Sequence, residues 1–248
     1  MTRLTAIVLT YNEAEHIAAC LETLSFADER VVFDSYSKDA TVEIARANRA
    51  RVIRHTFENF AAQRNAALDA IAPTTDWVLF VDADERVSPE LAEEIRLAVA
   101  QPDVYVAYRI PRHNYLFGKL TRGAGWYPDY QTRLLKSGSA AYDPAHIVHE
   151  VVAVRGATGT LTHPFIHHNY RDVAQFNAKQ RKYLALDAQG LYEKGIKPKR
   201  YSPLTQALRH FKWRFVELRG YQDGWHGLRL SLMMAAYEFR KIGLVRQM

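Results

Sequence analysis

Short apolar runs alternate with helix-patterned stretches through the first hundred residues, and this alternation constrains the fold more than any other feature. Thr5-Ala6-Ile7-Val8-Leu9, Arg30-Val31-Val32-Phe33-Asp34, Arg51-Val52-Ile53-Arg54 and residues 76–81 read as strands. Residues 13–26, 39–47 and 57–71 carry apolar side chains at helical spacing, with Ile17, Cys20, Leu21 and Leu24 on one stripe. Phe57, Phe60, Ala61, Leu68 and Ile71 form another. Asp39 is placed to cap the second helix. Ser88-Pro89-Glu90 opens a fourth, with Ser88 as cap and Pro89 at the first position. Such alternation predicts a parallel sheet covered by helices on both faces.

Trp77-Val78-Leu79-Phe80-Val81 runs straight into Asp82-Ala83-Asp84-Glu85. A continuous apolar run suits a strand buried on both faces, and the acids then fall just past its C-terminal end, where open α/β sheets bind ligands. Three carboxylates so close repel one another unless a cation lies among them. Asp82 and Asp84 share a face of an extended chain and can reach one hard metal ion. The competing reading is a polar turn with a helix cap. Thr10 to Glu13 and Asp34-Ser35 also follow strand ends, so one crevice should collect these loops. No Gly-x-Gly-x-x-Gly and no Gly-Lys-Ser/Thr loop follows the first strand, which removes the dinucleotide and P-loop classes.

The chain has 248 residues, 48% hydrophobic and 24% charged, as expected of a globular core. A single cysteine, Cys20, rules out an internal disulfide and fits a reducing compartment. No signal-peptide pattern opens the chain, and no apolar run reaches the roughly 20 residues a membrane helix needs. Charge is uneven. Residues 194–248 hold twelve Lys and Arg against Glu217, Asp223 and Glu238, a net +9; the whole chain is +6, leaving −3 for residues 1–193. Such a tail suits an anionic lipid, glycan or nucleic acid.

Beyond Pro102 the pattern changes. Residues 104–110, 131–135 and 148–154 read as strands, and 112–129, rich in Gly, aromatics and base, as a long functional loop. Residues 161–170 contain His163, His167 and His168; Pro164 interrupts them, and their spacing is not that of a zinc site. Residues 173–194, 201–219 and 227–245 are helical. The last two, mixing aromatics with Arg and Lys, suit either a basic amphipathic surface on a bilayer or a helical hairpin packed on protein. The division expected is 1–172, in halves 1–100 and 101–172, then a helical extension 173–248.

Ile7-Val8-Leu9-Thr10-Tyr11-Asn12-Glu13, the strand ending in Asp34-Ser35, Gln63-Arg64-Asn65 and Asp82-Ala83-Asp84, in this order, resemble the family 2 glycosyltransferases. Gly220-Tyr221, Asp223-Gly224-Trp225 and Gly227-Leu228 look like a bacterial subgroup that includes the lipopolysaccharide core β-1,4-glucosyltransferases. The resemblance implies a GT-A fold: a Rossmann-like, mixed, mostly parallel sheet with helices on both faces, here with a C-terminal helical extension. It implies an inverting enzyme that moves a hexose from a nucleotide sugar, UDP-linked, with Mg²⁺ or Mn²⁺. Thr10, Tyr11, Glu13, Asp34, Arg64 and Asp82 would serve the donor, and Asp84 with Asp82 the metal. Tyr11 would stack on uracil or else pack in the core. Asp34 would accept from the uracil imide or else cap a turn. Arg64 would meet the diphosphate or an internal carboxylate. The family's Asp or Glu base is assigned to Glu150, with Asp129 next and Asp143 third. Trp126, Tyr127, Arg122, Arg133 and His149 are candidates for the acceptor side, and His168 for a further ligand near the diphosphate. The implied acceptor is an anionic or lipid-linked bacterial glycan, reached by a cytoplasmic protein peripheral to the membrane. The alternatives are a membrane-associated binding protein with an inactive transferase domain and a sugar nucleotidyltransferase. No RNA-binding motif is present, so nucleic acid is not expected as a partner.

Overall fold

The structure is a computed structural model and describes residues 2–101, 104–143 and 152–248. Two compact units divide the chain: Met1–Arg112 with Tyr130–His167, and His113–Asp129 with His168–Met248.

Unit 1 begins with β1 (Leu4–Thr10), α1 (Ile17–Thr23), β2 (Glu29–Asp34), α2 (Thr41–Ala47), β3 (Arg51–Arg54), α3 (Phe60–Ile71) and β4 (Trp77–Asp82). The four strands are parallel, in the order β3-β2-β1-β4, and parallel neighbours require crossovers of this kind. In chain order there follow β5 (Glu85–Arg86), α4 (Pro89–Ala100), β6 (Ala107–Leu116), β7 (Lys119–Leu120, part of unit 2), β8 (Tyr130–Lys136), β9 (Ala140–Tyr142), β10 (Val152–Val154), β11 (Thr158–Thr160) and β12 (Phe165–Tyr170). Beyond β4 the sheet turns antiparallel through β8 and β6, and its order continues through β12 to β5. The fold is therefore a mixed α/β sheet flanked by helices.

Period-two alternation divides the core in two. Ala6 and Val8 of β1, with Leu79 and Val81 of β4, pack against Ile17 and Leu21 of α1 and Leu91 and Ile95 of α4. Ile7, Val78 and Phe80 point the other way, to Ala67 and Ile71 of α3. Both faces are dry, which is why these strands read as unbroken apolar runs. Each fully buried side chain of this size is worth about 1.5–3 kcal/mol over exposure.

Several boundaries differ from expectation. Residues 13–16 form a turn, with the amides of His16 and Ile17 donating to the Glu13 carbonyl, so α1 starts at Ile17 rather than 13. Asn59 caps α3 by accepting from the Ala62 amide at 2.8 Å. Phe57 therefore precedes the helix, and Phe57 and Phe60, expected on its core stripe, are exposed and meet edge to face at 5.0 Å. Ser88 caps α4 as expected, accepting from the Leu91 amide. Strand β6 extends to Leu116, so the loop expected from residue 112 starts later.

Unit 2 contains β7, α5 (Val173–Glu193), α6 (Ser202–Lys212) and α7 (Gly224–Val245), packed through Leu116, Tyr170, Phe176 and Leu230. The single helix expected over 201–219 is interrupted. After α6 comes a π-helical turn, Trp213–Glu217, then Arg219 in the left-handed region and a 3-10 turn, Gly220–Asp223. Gly227 lets α7 pass against this turn: a Cβ there would lie 1.8 Å from the Gly220 carbonyl oxygen. Among the described residues, no helix is long and apolar enough to cross a membrane.

Candidate active site

In unit 1 the polar ends of β1 and β2 and the start of α3 enclose a cleft of about 390 Å³, lined by Leu9, Thr10, Tyr11, Glu13, Ser35, Phe57, Phe60 and Gln63. Tyr11 is 53% exposed, which removes the core-packing alternative for it. Phe57 and Phe60 add two more aromatic rings. Their exposure has a local reason: they flank the Asn59 cap, where the chain enters the helix at the cleft edge. Asp34 sits at the end of β2 but is fully buried. It accepts from the hydroxyls of Thr10 (3.0 Å) and Ser37 (2.5 Å) and from the Ser37 amide (2.9 Å). These three bonds fix Asp34 in the cleft wall and leave one lone-pair site on Oδ2, while Ser35 and Gln63 line the cleft. Gln63 donates to the Ser35 hydroxyl at 3.0 Å and meets His55 Nδ1 at 2.9 Å.

The acids behind β4 have cationic neighbours within the protein itself. Arg133 Nη2 lies 2.5 Å from Asp82 Oδ2, and Arg64 Nη2 3.5 Å from Oδ1. Arg133, expected on the acceptor side, is buried and pairs with the acid cluster. Arg64 is buried too, its guanidinium 4.9 Å from the Phe80 ring centre and 5.6 Å from that of Tyr142. Burial pushes the Asp82 carboxyl up, but Arg133, Arg64 and then Arg112 hold it well below the usual carboxylate range. Glu85, the third carboxylate of the run, is completely buried. One of its oxygens accepts the Asp82 amide at 2.9 Å, and the other lies 3.4 Å from Arg112. Burial and the neighbouring Asp82 charge push its carboxyl up. Arg86 braces the same turn through the carbonyls of Ala83 and Glu85, both at 2.7 Å, and that of His16 at 3.2 Å.

Asp84 has different surroundings. It is partly exposed, and its Oδ2 lies 3.4 Å from Nε2 of the buried His167. The expected histidine was His168. Successive strand residues alternate faces, and the register Glu85↔His167 between β5 and β12 brings His167 to the acids. His168 belongs to unit 2, where its ring lies 5.8 Å from that of Tyr115. His163 pairs with Glu94 at 2.9 Å, so the three histidines go to three places. Among the described residues, no group of three or more His, Cys, Asp or Glu side chains gathers as a metal cage.

Unit 2 holds the acceptor-side candidates Arg122, Trp126 and Tyr127, and Asp129. Asp129 accepts from Asn114 Nδ2 at 3.2 Å, and the same nitrogen donates to the Trp126 carbonyl at 2.8 Å. Asn114 is fully buried. Trp126 packs edge-on to Tyr170, its buried Nε1 without a hydrogen-bond partner among the described residues. Tyr127 lies 5.1 Å from the His113 ring, and Arg122 is exposed. His149 and Glu150 lie outside the described residues, as do the other residues of 144–151.

The loop bearing these residues is held by the turn before α7. Asp223 accepts the amides of Arg122 (3.0 and 3.1 Å) and Gly123 (2.7 Å). Arg214 donates to the Ala124 carbonyl at 2.6 Å, and the Ala124 amide donates to Leu218. Thr121 and His226 meet at 3.1 Å. The motif around Asp223 thus acts as a clasp, a role no local sequence signal shows, since its partners lie a hundred residues away.

Comparison with known proteins agrees with this geometry. The family model described as "Glycosyl transferase family 2" matches residues 5–149. A lipopolysaccharide core biosynthesis glycosyltransferase, LpsC, of Rhizobium meliloti (strain 1021) is 27% identical over 95% of this chain and 89% of its own. An uncharacterized glycosyltransferase of Rickettsia felis is 27% identical over 100% of this chain and 90% of its own. Among solved structures, the mannosyltransferase PcManGT of Pyrobaculum calidifontis, solved with GDP-Man and Mn²⁺, superposes with a TM-score of 0.54 at 18% identity, covering 98% of this chain and 86% of that one. That likeness bears on the fold, which is GT-A-like. A cleft at the strand ends, an acid turn behind β4 and a family match over more than half of the residues lead to one conclusion: the chain belongs to glycosyl transferase family 2, enzymes that move a sugar from a nucleotide donor to an acceptor.

Proposed function

We propose that the enzyme is an inverting, divalent-metal-dependent hexosyltransferase. Its donor is a UDP-sugar, and its acceptor an anionic or lipid-linked bacterial surface glycan of the lipopolysaccharide core type, met at the cytoplasmic face of the membrane. The observation that carries this reading is the unequal treatment of the two aspartates. Arg64 and Arg133 engage both oxygens of Asp82, while Asp84 faces only partly buried space beside His167. A carboxylate with a neighbouring imidazole suits Mn²⁺ or Mg²⁺, whose remaining ligands are diphosphate oxygens and water. Asp84 and His167 would hold the ion, and Asp82 would stay with its arginines near the ribose. When bound, the metal supplies Lewis-acid stabilisation of the departing diphosphate.

The chain's own residues do the rest. Tyr11, Phe57 and Phe60 offer ring faces to a flat base, and Ser35 and Gln63 offer hydrogen bonds to its edge. Thr10 and Glu13 line the same cleft. The acceptor hydroxyl loses its proton to a carboxylate on the far side of the sugar. Glu150 is assigned that role and Asp129 stands second. The lipopolysaccharide acceptor rests on LpsC, which aligns along nearly the whole chain.

Asp84→Asn is expected to abolish transfer while leaving the melting temperature unchanged; full, metal-independent turnover in this variant would overturn the assignment. Glu150→Gln is expected to lower kcat by roughly 10²–10⁴-fold with donor affinity intact. Normal turnover there, with a collapse in Asp129→Asn, would move the base to Asp129. NMR of the first-formed product should show the anomeric configuration inverted relative to the donor.

A further inference from the structure

Helices α5 and α7 of unit 2 border a groove of about 320 Å³ whose apolar floor includes Phe176, Leu184 and Met233. Arg181, Arg229 and Arg240 also line it, and no carboxylate does. All three arginines are exposed, and none pairs with a carboxylate among the described residues; Arg229 lies over the Phe117 ring at 5.2 Å. The acids nearest in sequence are occupied: Asp187 accepts from the Tyr237 hydroxyl, Asp223 accepts the Arg122 and Gly123 amides, and Glu238 pairs with Lys241.

Next to these arginines on α7 stands a row of large apolar side chains at seven-residue intervals. Trp225, Leu232 and Phe239 are 79%, 52% and 47% exposed. Seven residues are close to two helical turns, so the row shares one stripe, and Arg229 and Arg240 lie one short step round the helix from it. Three such side chains in line are costly to leave in water.

We propose that this face docks on an anionic phospholipid leaflet, with headgroup phosphates among Arg181, Arg229 and Arg240 and the Trp225–Leu232–Phe239 row in the acyl boundary. This deepens the membrane contact included in the proposed function and rests on that reading. Charge selects the occupant. A second copy would bring another tail of net +9 against this one, whereas phosphodiesters complement it. Guanidinium groups bind phosphate in a forked geometry, and indole sits well where hydrocarbon meets headgroups.

The test is sedimentation of the full chain with vesicles of phosphatidylcholine alone and of phosphatidylcholine mixed with phosphatidylglycerol. Binding is expected only to the mixed vesicles and should weaken as salt rises. Each arginine at an anionic surface is worth roughly a five-fold factor, so Arg181→Gln/Arg229→Gln/Arg240→Gln should bind about a hundred-fold more weakly. Leu232→Ser/Phe239→Ser should also lose affinity. The thermal shift produced by UDP and Mn²⁺ should stay the same in both variants, which verifies their folding. Equal binding to both vesicle types, or undiminished binding of the arginine variant, would overturn the proposal. So would a concentration-dependent dimer abolished by Leu232→Ser/Phe239→Ser, which would assign the face to a second copy. Failure on vesicles with the UDP shift intact removes the lipid site and leaves the transferase reading; a wild-type chain that binds lipid but shows no UDP shift does the reverse.

Discussion

Asp82 and Asp84 stand two residues apart, yet the fold gives them different neighbours. The spacing alone places both at one cation; the arginines that engage Asp82 come from α3 and β8, eighteen and fifty-one residues away. Strand alternation also decides between neighbouring histidines. Removing His167 should raise the Mn²⁺ concentration needed for half-maximal transfer by at least roughly 10–100-fold, the loss that follows when only a partner behind a metal ligand is removed. His168→Ala should leave it unchanged, and the opposite order would contradict the register argument. Glu94 allows a residue-scale prediction about stability. It accepts the amides of Thr162 (2.8 Å) and His163 (2.9 Å), the Thr162 hydroxyl (2.8 Å) and His163 Nδ1 (2.9 Å). Burial pushes its carboxyl up, but the His163 and Thr162 hydrogen bonds outweigh this and lower it. A folded-state pKa below the unfolded value means the stabilisation is complete above about 4.5 and is lost as pH falls through the depressed value. Glu94→Gln should therefore cost about 1–2 kcal/mol near neutrality, allowing for its partial exposure. In melting curves taken across the acid range, the gap from wild type should close below that pH.

At the scale of elements, the β1–β4 crossover half was legible because its signals are local. Period-two burial, Ser88 ahead of Pro89 and Asp residues at strand ends can all be read within a few residues. At the entry to α3, exposed aromatics at a cleft have the same spacing as aromatics in a core, and the sequence does not separate them. The register of β12, which sets His167 rather than His168 beside Asp84, has no local trace in the sequence. The clasp at Asp223 was illegible for a different reason: a carboxylate that accepts two loop amides a hundred residues away leaves no periodic trace. Its energetics can be tested. Asp223→Ala leaves the Arg122 and Gly123 amides to water, and should lower stability by about 1–2 kcal/mol after discounting for exposure. Because the loop also carries Trp126 and Asp129, acceptor KM should rise about ten-fold, close to 1.4 kcal/mol, while donor affinity stays the same. Steady-state kinetics with each substrate varied in turn would show the split; a loss confined to donor affinity would argue that the loop serves the other substrate.

At the scale of the whole molecule, the cleft proposed for the donor lies in unit 1 with the acid turn, while the basic tail lies in unit 2. A ligand of one unit should therefore stabilise that unit's unfolding transition. At UDP concentrations a hundred times Kd, with Mn²⁺ present, mass action adds about 2.7 kcal/mol. For a unit of this size that is a rise of roughly 5–10 °C. The probe matters: Trp77 alone of the four tryptophans belongs to unit 1, the others being Trp126, Trp213 and Trp225, so indole emission would report mainly on the wrong unit. Calorimetry sees both. Stacking on one ring is worth about 1–3 kcal/mol, which weakens UDP by roughly 5–150-fold when the ring is removed. Tyr11→Ala at the same UDP concentration should then keep only about 0.3–1.8 kcal/mol of the stabilisation. Tyr11→Phe should keep nearly all of it, because the ring face and not the hydroxyl meets the base. A full shift in Tyr11→Ala would mean that the nucleotide binds away from the cleft between β1 and α3, and the placement of the donor would have to be abandoned.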